Sequence, residues 1–415
     1  MNQEGLMSEV DFPYSENERD AAGTASNLDA GTLRVCRRAR PGAITFPPGV
    51  SAWSRRGALV LLLGLLCVVP EAARATPRYA AQYQQNCNLC HANPTGGGMR
   101  SAYAASYIVP SELTVMQWPE ELADRLDPQI TPALSVGADL RTLYLYSPER
   151  VHRDNFFQMQ AVFHAQLEID RFSIYLAQGQ SATREAYGLG YLLPANGYVR
   201  VGRFTPAYGW KWDDHTMFVR ERLGFLPPAH TDVGIELGMY PGEFGIQAAV
   251  MNGAGGVIQD TDHRVAGFAR ADLRHRVFGA SLVVGGSYAY SEPGIGIRRQ
   301  AGPFASFHLG PLTWVGEADL LQMRTPSGPD ALITSHELTA RLKRGLYARA
   351  TYDFHDPDID RETGAVTRYG IGMDSLIYPF LGVQAMAVWY EREEGPAVVG
   401  EQEYFQPRIM VHFLY

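Results

Sequence analysis

From Ala133 to the last residue the chain alternates apolar and polar side chains, and this pattern limits its fold more than any other feature. Leu134, Val136, Ala138, Leu140, Thr142 and Tyr144 alternate with Ser135, Gly137, Asp139 and Arg141. Phe157, Met159, Ala161, Phe163, Ala165, Leu167 and Ile169 alternate with Gln158, Gln160, His164, Gln166 and Glu168. Leu346, Ala348, Ala350, Tyr352 and Phe354 do so with Tyr347, Arg349, Thr351, Asp353 and His355. Successive strand residues point to opposite faces, so each run has one apolar and one polar side. Runs of about ten residues suit tilted strands that cross a bilayer.

The connections alternate too. Tight turns are expected at Asp170-Arg171, Tyr240-Pro241-Gly242, His275-Arg276, Gly310-Pro311, Arg344-Gly345 and Pro379-Phe380. Longer polar loops fall at Asn252–Asp262, Met323–Asp330, Asp356–Val366 and Glu393–Gln402. Short turns on one rim and long loops on the other are the outer-membrane arrangement. Alternating rims strictly gives strands starting near 133, 155, 171, 185, 197, 231, 243, 263, 276, 297, 311, 331, 345, 365, 380 and 403. That is sixteen, an even number, as single-chain bacterial barrels require. The ending Ile409-Met410-Val411-His412-Phe413-Leu414-Tyr415 resembles the C-terminal signal of such barrels. The expected fold is mainly β: a transmembrane barrel of about 16 strands over 131–415, preceded by a small α-helical domain over 76–130.

The second feature is Cys87-Asn88-Leu89-Cys90-His91, the spacing of c-type haem attachment. Two thiols on adjacent turns add to the vinyl groups, and the histidine is then placed as proximal iron ligand. The competing thioredoxin-like reading needs a βαβ context, and none surrounds this site. Gly96, Gly97 and Gly98 follow and let backbone pass close to a porphyrin edge. Arg100 suits a propionate, with a solvated charge as the equal alternative. The sixth ligand stays open between Met116 and Met99, a barrel histidine and an empty position. Helical pieces are expected around Tyr103–Ile108 and Glu120–Leu126, in a segment too short to bury a good core without haem as its staple.

Upstream, Trp53–Ala75 reads as a signal peptide (53–75). Arg55 and Arg56 precede the apolar run Gly57–Val69, and Ala73-Arg74-Ala75 supplies the cleavage pattern. Residues 1–52 are polar and without periodicity; they read as a mis-started extension or a disordered tail. Cys36 and Cys67 fall in these segments, which leaves Cys87 and Cys90 to the exported chain. A net charge of −8 excludes the basic stripe of a nucleic-acid binder.

One stretch breaks the strand rhythm. Thr205–Thr231 carries Trp210-Lys211-Trp212-Asp213-Asp214-His215 and reads either as an inward constriction touching the haem domain or as a surface loop. The preceding Val201-Gly202-Arg203-Phe204-Thr205-Pro206-Ala207-Tyr208-Gly209 is similar to a segment of phosphate-selective porin-like barrels.

In architecture the chain resembles the fused monohaem cytochrome–porins of Fe(II)-oxidising and other bacteria that transfer electrons extracellularly. The resemblance rests on the export signal, Cys87-x-x-Cys90-His91, a short linker, and a barrel running to Tyr415. It implies an outer-membrane electron carrier with metal oxidase or reductase activity. One covalent haem c would lie in the lumen or at its periplasmic mouth. The implied partners are outer-membrane lipid, a periplasmic electron carrier and an extracellular redox substrate such as Fe(II). The residues after His91 differ from the iron-oxidase pattern. The alternative reading is a solute porin with a haem-bearing plug or redox-sensing domain.

Overall fold

The computed structural model describes residues 77–415 apart from 149–152, 181–183, 213, 227–229, 258–259, 261–262, 293–295, 325–327, 362 and 394–401. The expected leader (53–75), the extension (1–52), Cys36 and Cys67 lie outside the described residues.

Sixteen strands close into one antiparallel barrel. They are β1 (Leu134–Tyr146), β2 (Asp154–Ile169), β3 (Phe172–Gly179), β4 (Arg184–Leu193), β5 (Gly197–Phe204) and β6 (Asp232–Met239). Next come β7 (Phe244–Met251), β8 (Ala266–Val277), β9 (Ala280–Ser291), β10 (Ile297–Leu309) and β11 (Leu312–Arg324). The last five are β12 (Asp330–Lys343), β13 (Leu346–Asp356), β14 (Val366–Tyr378), β15 (Leu381–Arg392) and β16 (Glu403–Leu414). The ring closes where β16 pairs with β1, Ile409 opposite Tyr144 and Phe413 opposite Leu140. A three-residue strand, Gln129–Thr131, pairs with the start of β1.

Every strand begins within four residues of its expected start. The largest difference is at β9. Strand β8 runs on to Val277, so the turn is Phe278-Gly279 rather than His275-Arg276. Gly279 takes φ +82, a conformation open to glycine, and this decides where the hairpin reverses.

A second difference lies in β2. Opposite Arg141 and Thr142 the register skips from Gln160 to Gln158. Such a bulge inserts one residue and exchanges the faces beyond it. Phe156 therefore turns outward, 74% exposed, while Met159 joins Leu143 and Arg408 on an inner pocket. The expected alternation of Phe157 and Met159 with the outward residues holds only from Ala161 onward.

Elsewhere the barrel is apolar outside and polar inside. Phe163, Leu167, Ile174, Leu176, Ile235 and Ile371 are exposed, whereas Arg141, Glu185, Arg200, Glu236, Glu317 and Arg349 are buried towards the lumen. Glu168 is the exception among the expected inward residues: it is exposed beside the Asp170-Arg171 turn, accepting a bond from Gln166 at 2.9 Å. Outward aromatics gather in neighbouring pairs such as Tyr352–Tyr369 and Trp389–Phe405, with ring centroids 5.6 and 5.1 Å apart. An apolar outer surface with aromatic girdles is what a bilayer-spanning barrel presents.

Candidate functional site

Segment 77–126 packs inside the barrel, towards the short-turn rim. Its first element, α1 (Pro77–Tyr83), is pinned by Arg78. The Arg78 guanidinium ion-pairs with Asp374 of β14, lies 3.6 Å from Glu337 of β12, and covers the Tyr347 ring at 5.0 Å. Further along, a wide π-helical turn spans Ala104–Leu113 and a 3₁₀ turn spans Glu120–Leu126, close to the helical pieces expected. Between them Val115 and Met116 donate their amides to Leu376 and Ile377 at the end of β14. Arg200 of β5 reaches Asn93 Oδ1 at 2.8 Å, and the Tyr240 hydroxyl donates to the Pro94 carbonyl at 3.0 Å.

The Cys87–His91 turn is built by local bonds. His91 N donates to Cys87 O at 2.9 Å, and Cys90 N to the same oxygen at 3.2 Å. Residues 99–101 then clamp the turn: Ala92 N donates to Met99 O, Ser101 N to Cys90 O, and Ser101 Oγ to Leu89 O. Gly96, Gly97 and Gly98 all adopt positive φ, +88, +71 and +67. A Cβ at Gly96 would lie 3.2 Å from Cys87 Sγ, and one at Gly98 would run into the Tyr175 hydroxyl. The glycines thus carry the chain back across the cysteines where no side chain fits.

Cys87, Cys90 and His91 line one cavity of about 210 Å³ that opens into the lumen. Tyr83, Val109 and Leu113 supply its apolar side; Arg141, Gln384, Met410 and His412 belong to the facing wall. Both thiols and the imidazole therefore open on one space beside a glycine cradle, and this donor set fits a covalently attached haem. Burial pushes the Cys90 thiol up to about 11, with Cys87 adding to the shift.

The expected distal candidates lie elsewhere. Met99 is 2% exposed and packs with Tyr175, Tyr187 and Tyr198; a Cβ on Gly137 would stand 3.3 Å from its sulfur. It fills the space that glycine leaves on β1. Met116 is 48% exposed at the rim beside Ile377. Neither lines the cavity, whereas Arg100 does.

The loop between β5 and β6 folds inward, the first of the two readings left open by its sequence. Trp210 N and Trp212 Nε1 both donate to Glu317 Oε2, at 2.8 and 3.0 Å. Tyr208 donates to Asp319 at 2.6 Å. A short helix, α2 (Phe218–Arg222), caps onto the opposite wall, where Phe218 N donates to Asp353 Oδ1 at 3.1 Å. Trp210, Lys211, Trp212 and Asp214 then form one side of the cysteine cavity. An ion-pair chain ties these parts together: Glu337 meets Arg78 and Arg349, and Arg349 meets Asp214 at 3.1 Å. Burial alone would raise the Asp214 carboxyl, but Arg349 and Arg408 hold it below the ordinary carboxylate range. Burial lowers the Lys211 ammonium, against the opposing pull of Glu185. No sequence motif marks Lys211, Arg349 or Asp214 as neighbours of Cys87; only their order along an alternating strand or in an aromatic loop was visible.

At the far end of that loop His230 is buried, and burial lowers its pKa from 6.5 to about 4, with Glu185 opposing and Arg220 and Lys211 adding. The released histidine takes a proton below 6.5 that the docked one refuses, so stability is complete above 6.5 and falls towards pH 4. The difference is worth about 3 kcal/mol of docking. The protection factors of the Trp210 and Phe218 amides are expected to fall as the pH drops through that range, and His230→Gln to abolish the dependence. Protection that stays flat would contradict this.

No family model matches the sequence, and no curated protein matches it. Solved structures do. OmpT of Vibrio cholerae is 12% identical with a TM-score of 0.52, over 69% of this chain and 99% of that one. OprB of Pseudomonas putida is 10% identical with a TM-score of 0.55, over 71% of this chain and 96% of that one. The in-vitro folded trimer form of Vibrio cholerae OmpT is 9% identical with a TM-score of 0.51, over 68% and 99%. The barrel has the closed fold of outer-membrane porins.

Proposed function

We propose that this chain is an outer-membrane electron-transfer protein, in which a porin-type barrel carries one covalent haem c inside its lumen. The observation that carries the proposal is the placement of Cys87, Cys90 and His91 on one lumen cavity, bounded by Trp210, Lys211, Trp212 and Asp214 of the inward loop. The apolar band of such a barrel is about 25 Å tall, so a redox group at the periplasmic rim would be remote from external donors. A group within the lumen shortens that gap.

In this reading Cys87 and Cys90 would hold the haem through thioethers and His91 would ligate its iron. Haem bound there would supply reversible one-electron chemistry. The surrounding chain keeps the attachment turn in place: Arg78 and Arg200 tie it to the wall, and Tyr83, Val109 and Leu113 exclude water from one side. Electrons would pass between an extracellular substrate, Fe(II) being the one the architectural resemblance suggests, and a periplasmic carrier. The porin-type fold favours a second reading, a solute channel with a haem-bearing plug.

Liposomes holding an acceptor, with an impermeant donor outside, separate the two. Electron flow is expected with the haem-loaded protein. It should vanish in the Cys87→Ser/Cys90→Ser variant. Failure of the outside donor to reduce the haem would refute the conduit, and solute conductance indifferent to haem loss would establish the channel.

A further inference from the structure

We infer that Lys211 supplies the second protein ligand to the haem iron. The inference rests on the attachment proposed at Cys87 and Cys90 and deepens it by assigning the remaining ligand. Met99 and Met116, the candidates by sequence distance, do not line the cavity. Apart from the attachment turn, the described side chains that do line it offer lone pairs on nitrogen or sulfur at three places: Lys211, Met410 and His412. Arginine guanidinium stays protonated and indole N–H only donates, so the cavity's other nitrogen-bearing side chains do not compete.

Two of the three belong to the β16 wall. His412 Nε2 lies 2.8 Å from Asp139 Oδ1 and 3.1 Å from Arg141 Nε, within a buried ion-pair cluster of β1 and β16. Met410 sits between that cluster and Arg408 and also lines the neighbouring pocket with Asp214 and Thr216. Lys211 differs from both. Its main chain is held on either side by the Glu317 bonds of Trp210 and Trp212, and Arg220 donates to the Trp212 carbonyl. Its head is uncommitted: among the described residues it has no hydrogen bond or ion pair.

The side chain reaches the attachment segment itself. A Cβ on Gly97 would lie 3.0 Å from Lys211 Cε and 3.4 Å from Nζ, so the missing side chain at Gly97 makes room for the lysine. Glu185, the acid that acts on it electrostatically, already accepts Thr205 N and Oγ1 at 3.2 and 3.0 Å. A half-buried ammonium without a carboxylate is unfavourable, whereas a neutral amine bound to a metal is not. A rigid main chain, a free head and contact with the turn beyond His91 are what a ligand arm requires.

The test is electron paramagnetic resonance and absorption of the ferric protein in detergent, with covalent haem counted on denaturing gels. Wild type is expected to be low-spin with two nitrogen ligands. Lys211→Ala should turn high-spin with its covalent haem content unchanged. Lys211→Met, close in size and so safe for folding, should stay low-spin with a sulfur-ligand spectrum and a more positive midpoint potential. A Lys211→Ala protein that remains low-spin with the wild-type signature overturns the inference, as does a high-spin wild type. Absence of covalent haem in wild type would instead refute the attachment on which it rests.

Discussion

Replacing Glu236 with Gln is expected to loosen the lumen segment from the barrel wall by about 3–5 kcal/mol, the cost of leaving a buried charge without its partner. Glu236 and Arg200 are both 0% exposed and their side chains meet at 2.6 Å. Glu236 also accepts the Tyr198 hydroxyl at 2.8 Å and the Ala207 amide at 3.1 Å. Arg200 lies 4.0 Å over the Phe204 ring and donates to Asn93. One pair thus joins the wall, the root of the inward loop and the segment beyond His91. Hydrogen exchange at Thr95, Met99 and Ala207 should rise by two to four orders of magnitude, at about 1.4 kcal/mol per tenfold. The barrel ladders away from β5 and β6, where Arg200 faces Glu236, should keep their protection. Replacing both residues with apolar ones of similar volume should restore part of the loss, because a buried ion pair is worth little beyond a well-packed apolar pair. Unchanged exchange at those three amides would show that the segment is held elsewhere.

The second large effect is expected from Cys87→Ser combined with Cys90→Ser. Covalent haem should disappear from denaturing gels, and electron flow in the liposome assay should fall to background. Either single variant should keep one thioether and retain haem in reduced amount. Folding of the barrel should survive, since its closure depends on the β16–β1 ladder and not on the lumen segment. Haem that persists covalently in the double variant would end the attachment reading. A barrel that no longer folds would show that the segment is needed to close it.

Most of the barrel was legible because strand alternation is a property of neighbouring residues. Leu134 to Tyr144 and Leu346 to Phe354 state their two faces directly, and turns such as Arg344-Gly345 state where strands reverse. Reading failed where a single residue changes the register. Nothing around Met159 announces the bulge, because Phe156 and Phe157 are equally apolar and either could face lipid. At β8–β9, the basic pair His275-Arg276 looked more turn-like than Phe278, although Gly279 carries the required backbone conformation.

The site divides along the same line. Sequence alone grouped the residues of the proposed attachment: Cys87, Cys90 and His91 fall within five consecutive positions, so one turn brings them together whatever surrounds it. It could equally propose Met99, by distance along the chain, without seeing that Gly137 draws that side chain onto β1. Only the tertiary structure decided that the turn lies in the lumen and that the loop after β5 folds in beside it. It also set Lys211 of the loop, Arg349 of β13 and His412 of β16 around the same cavity. His412 stands more than three hundred residues beyond Cys87 in the chain, and they meet because closing β16 onto β1 wraps every polar strand face around one enclosed space.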